Sequence, residues 1–158
     1  MVLYIAEGVL CLSSQKKWRL FIAICHISIK IISRGKGKSA VVAAAYRAGE
    51  RITNEYDGMV HNYTKKVGIF HTEIMLPNHA PSEYFNRSTL WNAVEKVEKS
   101  KNSQLAREFK LVLPIEVSAE QNLSLVRDYV SRNFVAVGMC ADVWIHDKGD
   151  GNPHHASD

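Results

Sequence analysis

The sequence predicts an α+β fold: an antiparallel sheet of about five strands with helices packed on it. Three observations predict it. Short β-branched segments with period-two alternation recur along the 158 residues and are separated by helical stretches. The helical stretches open on serines placed to cap them, and one has the Ser-x-x-Gln spacing of a capping box, Ser118 to Gln121. The last two strands, residues 141–146 and a segment opening at His154, are joined by the Gly/Asp/Asn/Pro turn of residues 147–153.

Taken in order, residues 24–32 (ICHISIKII) alternate as a strand, and Arg34-Gly-Lys-Gly-Lys38 follows as a flexible basic loop. That loop lacks the GxxxxGK[ST] spacing of a P-loop, so nucleotide binding through such a motif is disfavoured. Ser39 caps an alanine-rich helix over residues 40–48, ended by Gly49, with Val42 and Tyr46 four apart on one face. Residues 67–76 (VGIFHTEIML) form the second strand, closed by Pro77. Ser88 caps a helix that turns Leu90, Trp91, Val94 and Val97 inward. A third strand spans residues 105–113 (LAREFKLVL), before Pro114. From Ser118 runs the clearest helix, with Leu123, Val126, Val130, Phe134 and Val137 as its buried stripe and Gly138 as its end.

Composition bounds the rest. A chain 46% hydrophobic and 23% charged is long enough for one domain with its own core and too ordinary in charge for wholesale disorder. Cys11, Cys25 and Cys140 are odd in number and lack a CxxC, which argues against a disulfide framework and for a reducing, cytoplasmic setting. Residues 1–12 are apolar, but they contain Glu7, and Lys16, Lys17 and Arg19 follow rather than precede them. They fit neither a signal peptide nor a bilayer span, and no membrane partner is expected. Residues 1–22 read instead as an N-terminal extension outside the fold, with the domain at residues 23–158.

The formal charge is only +4, but it is locally concentrated. Lys30, Arg34, Lys36, Lys38, Arg47 and Arg51 crowd one stretch against Glu50 alone, an electrostatic footprint for a phosphate backbone or a solvated loop. Tyr46 follows directly on that stretch. A phenol becomes a nucleophile only beside a base, cations or a metal ion, and a tyrosine on an Ala/Val helix is more often a packing residue. At the far end His146, His154 and His155 fall within ten positions around a turn, an arrangement that converges imidazoles on a metal ion or leaves them at the surface. Asp142, Asp147 and Asp150 lie beside them, as partners of the imidazoles or as ordinary turn acids.

Several segments in order, AICHISIKIISR, SAVVAAAYRAGE, DGMVHNYTK, HTEIMLP, QLAREFKLVLP and IHDKGDGNPH, together resemble the MobA/MobL (TraA-type) plasmid mobilisation relaxases of the histidine-hydrophobe-histidine superfamily. The resemblance spans residues 23–154 and implies the sheet of a relaxase or rolling-circle initiator. It implies site- and strand-specific nicking of single-stranded DNA at an origin of transfer. In that reaction a tyrosine attacks a phosphodiester and leaves a 5′-phosphotyrosyl bond. Carried over residue by residue, it makes Tyr46 the nucleophile, His146 and His154 ligands of a divalent metal (Mg²⁺ or Mn²⁺), and Glu108 an acidic residue that positions metal or histidine. Arg34, Lys36, Lys38, Arg47 and Arg51 become the DNA-binding cations, and accessory mobilisation proteins are expected partners. His26, His61 and His71 also match the family and receive no catalytic role, although His61 with Tyr63 makes a pair suited to stack on bases.

The family pattern continues as His-Ala-His followed by an apolar strand, and here the sequence departs from it. His155 directly follows His154, Ala156 holds the position of the third histidine, and Asp158 is the last residue. Strand neighbours face opposite ways, so His155 is one residue out of phase with His154. The expectation is therefore a domain interrupted in its third motif, its last strand missing, and an impaired nickase. A non-catalytic single-stranded DNA-binding remnant is the alternative.

Overall fold

Two apolar cores, one on each side of a central sheet, account for most of the architecture. The structure, a computed structural model, describes residues 2–11, 27–100, 102–114 and 117–146. In chain order the strands and helices are β1 (Val2–Cys11), β2 (Ile27–Ser33), α1 (Ala40–Ala48), β3 (Arg51–Thr53), β4 (Val60–Asn62), β5 (Ile69–Met75), α2 (Arg87–Val97), β6 (Gln104–Pro114), α3 (Ala119–Val130) and β7 (Cys140–His146). The main sheet has the order β2-β6-β1-β7-β5, and β3 and β4 form a separate hairpin.

β7 shows how the period-two rule builds both cores. Ala141, Val143 and Ile145 join Leu113, Val126 and Val130 under α3. Trp144, on the opposite face, joins Ile32, Ala40, Val41, Ala44, Ala45, Leu90 and Trp91 under α1 and α2. The alanines of α1 let that helix lie close over the sheet, and its ends are as the sequence predicts. Ser39 Oγ accepts from the Val42 amide at 3.3 Å, and Gly49 takes the left-handed conformation at φ 65° that only glycine adopts without strain. The Ser118–Gln121 capping box is formed in both directions.

The structure differs from expectation in five places. Asn86 rather than Ser88 caps α2, accepting from the Thr89 amide at 3.0 Å, because Arg87 and Ser88 already belong to its first turn. Val97 at the end of α2 is 77% exposed, and Val137 beyond α3 is 65% exposed. The stripe of α3 slips because the helix passes into a single π turn, Ser131–Val135, which breaks the 3.6-residue period. The β3–β4 hairpin was not anticipated, since strands of three residues give too little alternation to read. Finally, half of the segment assigned to an N-terminal extension lies within the sheet.

That segment, β1, runs parallel to both neighbours, Leu3 opposite Arg107 of β6 and Ala141 of β7. The outer pairs, β2–β6 and β5–β7, are antiparallel. An apolar-rich run such as VLYIAEGVLC, broken only by Glu7 and Gly8, suits a strand flanked on both sides, and parallel ladders give the backbone groups of β6 and β7 that face this slot their partners. The strand expected from His154 onward lies outside the described residues.

Candidate functional site

The side chains brought together by this fold surround the last turn of α1. Tyr46 is 51% exposed there, on the side of the helix away from the alanine stripe. Its ring meets the edge of Tyr63 at a centroid distance of 5.3 Å, and Lys66 Nζ stands 4.1 Å from the centroid of its ring. On the sheet side, Arg47 donates to Glu108 Oε1 from Nη2 at 2.5 Å and from Nε at 3.2 Å. A third bond goes from Arg47 Nη1 to the Ala43 carbonyl at 3.1 Å. Glu108 is 3% exposed, so this ion pair fixes the end of α1 to the middle of β6.

His146, the last residue of β7, approaches the same turn from the other side, with Nε2 at 2.8 Å from the Arg47 carbonyl oxygen. A carbonyl only accepts, so Nε2 donates here, as in a metal-ligating histidine oriented by a backbone carbonyl. Tyr46, Arg47, Glu108 and His146, four residues singled out in the sequence, are thus joined through consecutive positions of one helix and two strands. His154, His155, Asp147 and Asp150 lie outside the described residues, as does His26. Among the described residues there is no group of three or more side chains arranged to hold a metal ion.

The five cations assigned to DNA divide into distinct groups. Arg34 is bound to Glu95, Nη2 to Oε2 at 2.8 Å, and also donates to the Glu95 carbonyl at 2.8 Å. Its guanidinium lies over Tyr56 at 4.4 Å, so it braces the loop against α2. Arg47 is engaged with Glu108. Both side chains are 16% exposed, and both serve the fold rather than standing in solvent as the charge run suggested. Lys38 and Arg51 are exposed, and the Lys36 side chain lies outside the described ones. Arg51 pairs in register with Asn62 on the outer face of the hairpin, while Ile52 and His61 turn inward. His61 Nε2 is buried without a hydrogen-bond partner, and His71 Nε2 lies 3.4 Å from Glu73 Oε1.

A buried network behind the site went unread in the sequence. Asp142 is fully buried on β7 and accepts from Arg87 Nε and Nη2, both at 2.8 Å, and from Trp91 Nε1 at 2.9 Å. Arg87 also pairs with Glu50, two residues past the end of α1. Asp142, considered as a partner of the imidazoles, is therefore a structural anchor that links β7, α2 and the exit of α1. Burial raises its carboxyl from 3.8 to about 6, against the opposing pull of the Arg87 guanidinium and the Trp91 N–H.

A folded-state value above the unfolded one means that the native protein holds this proton more tightly. The contribution is greatest below about pH 4 and is lost as the pH rises through 6. Relative to Asp142→Asn, which does not titrate, the wild-type chain should gain up to about 3 kcal/mol between pH 7 and pH 4. Urea denaturation of both chains across that range measures it, and a pH-independent difference would refute it.

A model of the MobA/MobL family matches residues 38–156, three quarters of the chain, including Tyr46, Arg47, Glu108 and His146. The chain belongs to the MobA/MobL family. Its similarity to individual MobA/MobL-related proteins is substantial: it is 44% identical over 142 residues to a conjugal transfer protein TraA of Rhizobium radiobacter. That alignment covers 84% of this chain and 13% of TraA. It is also 44% identical over 124 residues to a mobilization protein MobL of Acidithiobacillus ferridurans, covering 78% of this chain and 32% of MobL. A solved structure from a study of the molecular basis of vancomycin resistance transfer in Staphylococcus aureus superposes with a TM-score of 0.76 at 34% identity. It covers 83% of this chain and 66% of that one. The chain is mixed α and β, and among its described residues no helix is long and apolar enough to cross a membrane.

Proposed function

We propose that this chain carries the strand-nicking step of conjugative mobilisation. The observation that carries the reading is the half-exposed Tyr46 on the outer side of α1, with Arg47, Glu108 and His146 fixed behind it. Tyr46 Oη attacks the phosphorus of one phosphodiester in single-stranded DNA at an origin of transfer. The new P–Oη bond forms as the P–O3′ bond breaks, the phenolic proton is released, and the departing 3′ oxygen takes up a proton. The products are a 5′-phosphotyrosyl strand and a free 3′-OH, and the phosphodiester energy is retained for religation.

The Arg47–Glu108 pair holds the last turn of α1 in place and so fixes the direction of Tyr46. A divalent cation, Mg²⁺ or Mn²⁺, held by His146 together with His154, would polarise the scissile phosphate and stabilise charge developing on it. Lys38, Arg51 and the exposed Lys30 of β2 supply backbone contacts whose strength falls with salt. Accessory mobilisation proteins that deliver the origin are the partners this reading requires.

The test is a covalent-adduct assay on denaturing gels. Tiled single-stranded oligonucleotides from the DNA flanking this coding sequence are incubated with the chain and Mg²⁺ or Mn²⁺. An adduct confined to one oligonucleotide, mapping by mass spectrometry to the Tyr46 peptide, is the expected result. Salt-sensitive binding with no adduct on any oligonucleotide would overturn it and leave a single-stranded DNA-binding module.

A further inference from the structure

The turn that crosses the end of α1 has a role that nothing above assigns. At Gly49 the chain turns into the crossing with a left-handed φ of 65°, and a Cβ placed there would press on the tip of the Ile69 side chain at 2.4 Å while meeting the Tyr63 carbonyl oxygen and Lys66 Cβ of the turn at an ordinary 3.6 and 3.7 Å. The turn is also held in shape. Asn62 Oδ1 accepts from the Thr64 amide at 3.1 Å and from Thr64 Oγ1 at 2.8 Å. The Lys66 amide donates to the Tyr63 carbonyl at 2.9 Å, and the Tyr63 amide to the Glu50 carbonyl at 3.1 Å. Two side chains of this braced turn close on one target. Tyr63 meets Tyr46 edge-on, at 89° between ring planes, and Lys66 places its ammonium over the ring face.

The geometry assigns Lys66 as a positioning residue for the Tyr46 nucleophile, with Tyr63 as the second jaw of the clamp. The edge contact limits rotation of the ring. An ammonium over the face of a phenol attracts its π-electrons, and it attracts them more strongly as negative charge builds on the ring and its oxygen. Lys66 therefore acts on the reactivity of Tyr46 through its charge and not only through its stem. In K66M the aliphatic stem remains and the charge is lost. In K66R the charge remains.

This inference rests on the nicking role of Tyr46 for its biological meaning, but not for its first test. N-acetylimidazole acetylates tyrosine oxygen in proportion to its nucleophilicity and needs no DNA. With N-acetyltyrosinamide as internal standard, the Tyr46 peptide of K66M should acetylate about tenfold more slowly than in wild type. K66R should stay within about twofold of wild type. Equal rates in K66M and wild type overturn the inference, and so does an equal loss in K66M and K66R, which would mean that shape rather than charge matters.

In the oligonucleotide assay, the single-turnover rate of adduct formation should fall about tenfold in K66M while the Kd for DNA stays within about twofold. A loss confined to Kd would make Lys66 an ordinary backbone contact and refute the assignment. If wild type forms no adduct while acetylation still separates K66M from K66R, the nicking reading fails and the clamp stands.

Discussion

Tyr46→Phe is expected to abolish the covalent protein–DNA adduct, lowering its rate at least ~10³-fold, while leaving the fold and DNA binding almost intact. The change removes one oxygen. The benzyl ring stays, so the edge contact with Tyr63 and the ammonium of Lys66 over its face are both retained. The side chain is half-exposed and the alanines beneath it are untouched, so stability should change by no more than about 0.5 kcal/mol. DNA affinity should stay within about threefold, because backbone contacts belong to the lysines and arginines. This combination, full binding without an adduct, separates a lost nucleophile from a damaged fold. If Tyr46→Phe still forms an adduct, the nucleophile is another tyrosine, and the 71%-exposed Tyr56 is the first to test.

The parts of this molecule that were legible in the sequence are those governed by local rules. Ser39 and Gly49 bracket α1, and the Ser118–Gln121 box starts α3, because capping depends on residues three or four apart. Residues 141–146 read as a strand of a sheet covered on one face; in the structure both faces are covered, with Ala141, Val143 and Ile145 against α3 and Trp144 against α1 and α2. The spacing of several family motifs points to Tyr46, Glu108 and His146, and the structure gathers them around the last turn of α1. What stayed hidden depends on partners far apart in the chain. Arg34 and Arg47 read as free cations because nothing near them in sequence announces Glu95 or Glu108, each 61 residues away. Lys66 gave no signal at all, since its meaning comes from the fold that lays the turn of residues 62–66 against the end of α1. β1 looked like an appendage because the slot it fills is made by strands that begin about a hundred residues later.

Arg87→Met should cost about 3–5 kcal/mol of stability near pH 7, the largest single-residue loss expected outside the apolar cores. Methionine fills much of the space but removes both bonds to Asp142 and the pairing with Glu50. Asp142 then keeps the Trp91 N–H alone, in a site with no access to water. Against a typical total of ~5–15 kcal/mol this is a substantial fraction. The cost should fall in acid. Without the guanidinium the Asp142 carboxyl rises further, so protonation relieves the unpaired charge as the pH drops. Arg87→Met should therefore recover part of its deficit at pH 5 relative to pH 8. Combining it with Asp142→Asn tests the cause, since the amide oxygen still accepts from Trp91 and no buried charge remains. The double variant should regain at least about half of the loss, the non-additivity expected of a direct pair. Urea unfolding at both pH values measures all three chains, and an Arg87→Met chain within about 1 kcal/mol of wild type would refute the anchor. The consequence for the site follows from position. Arg87 ties the residue after the Gly49 cap to the strand that carries His146. Without it the end of α1 and the end of β7 lose a common reference. Adduct formation by Arg87→Met should accordingly fall even at temperatures where the chain is folded, a loss that Asp142→Asn restores only in so far as it restores the packing between them.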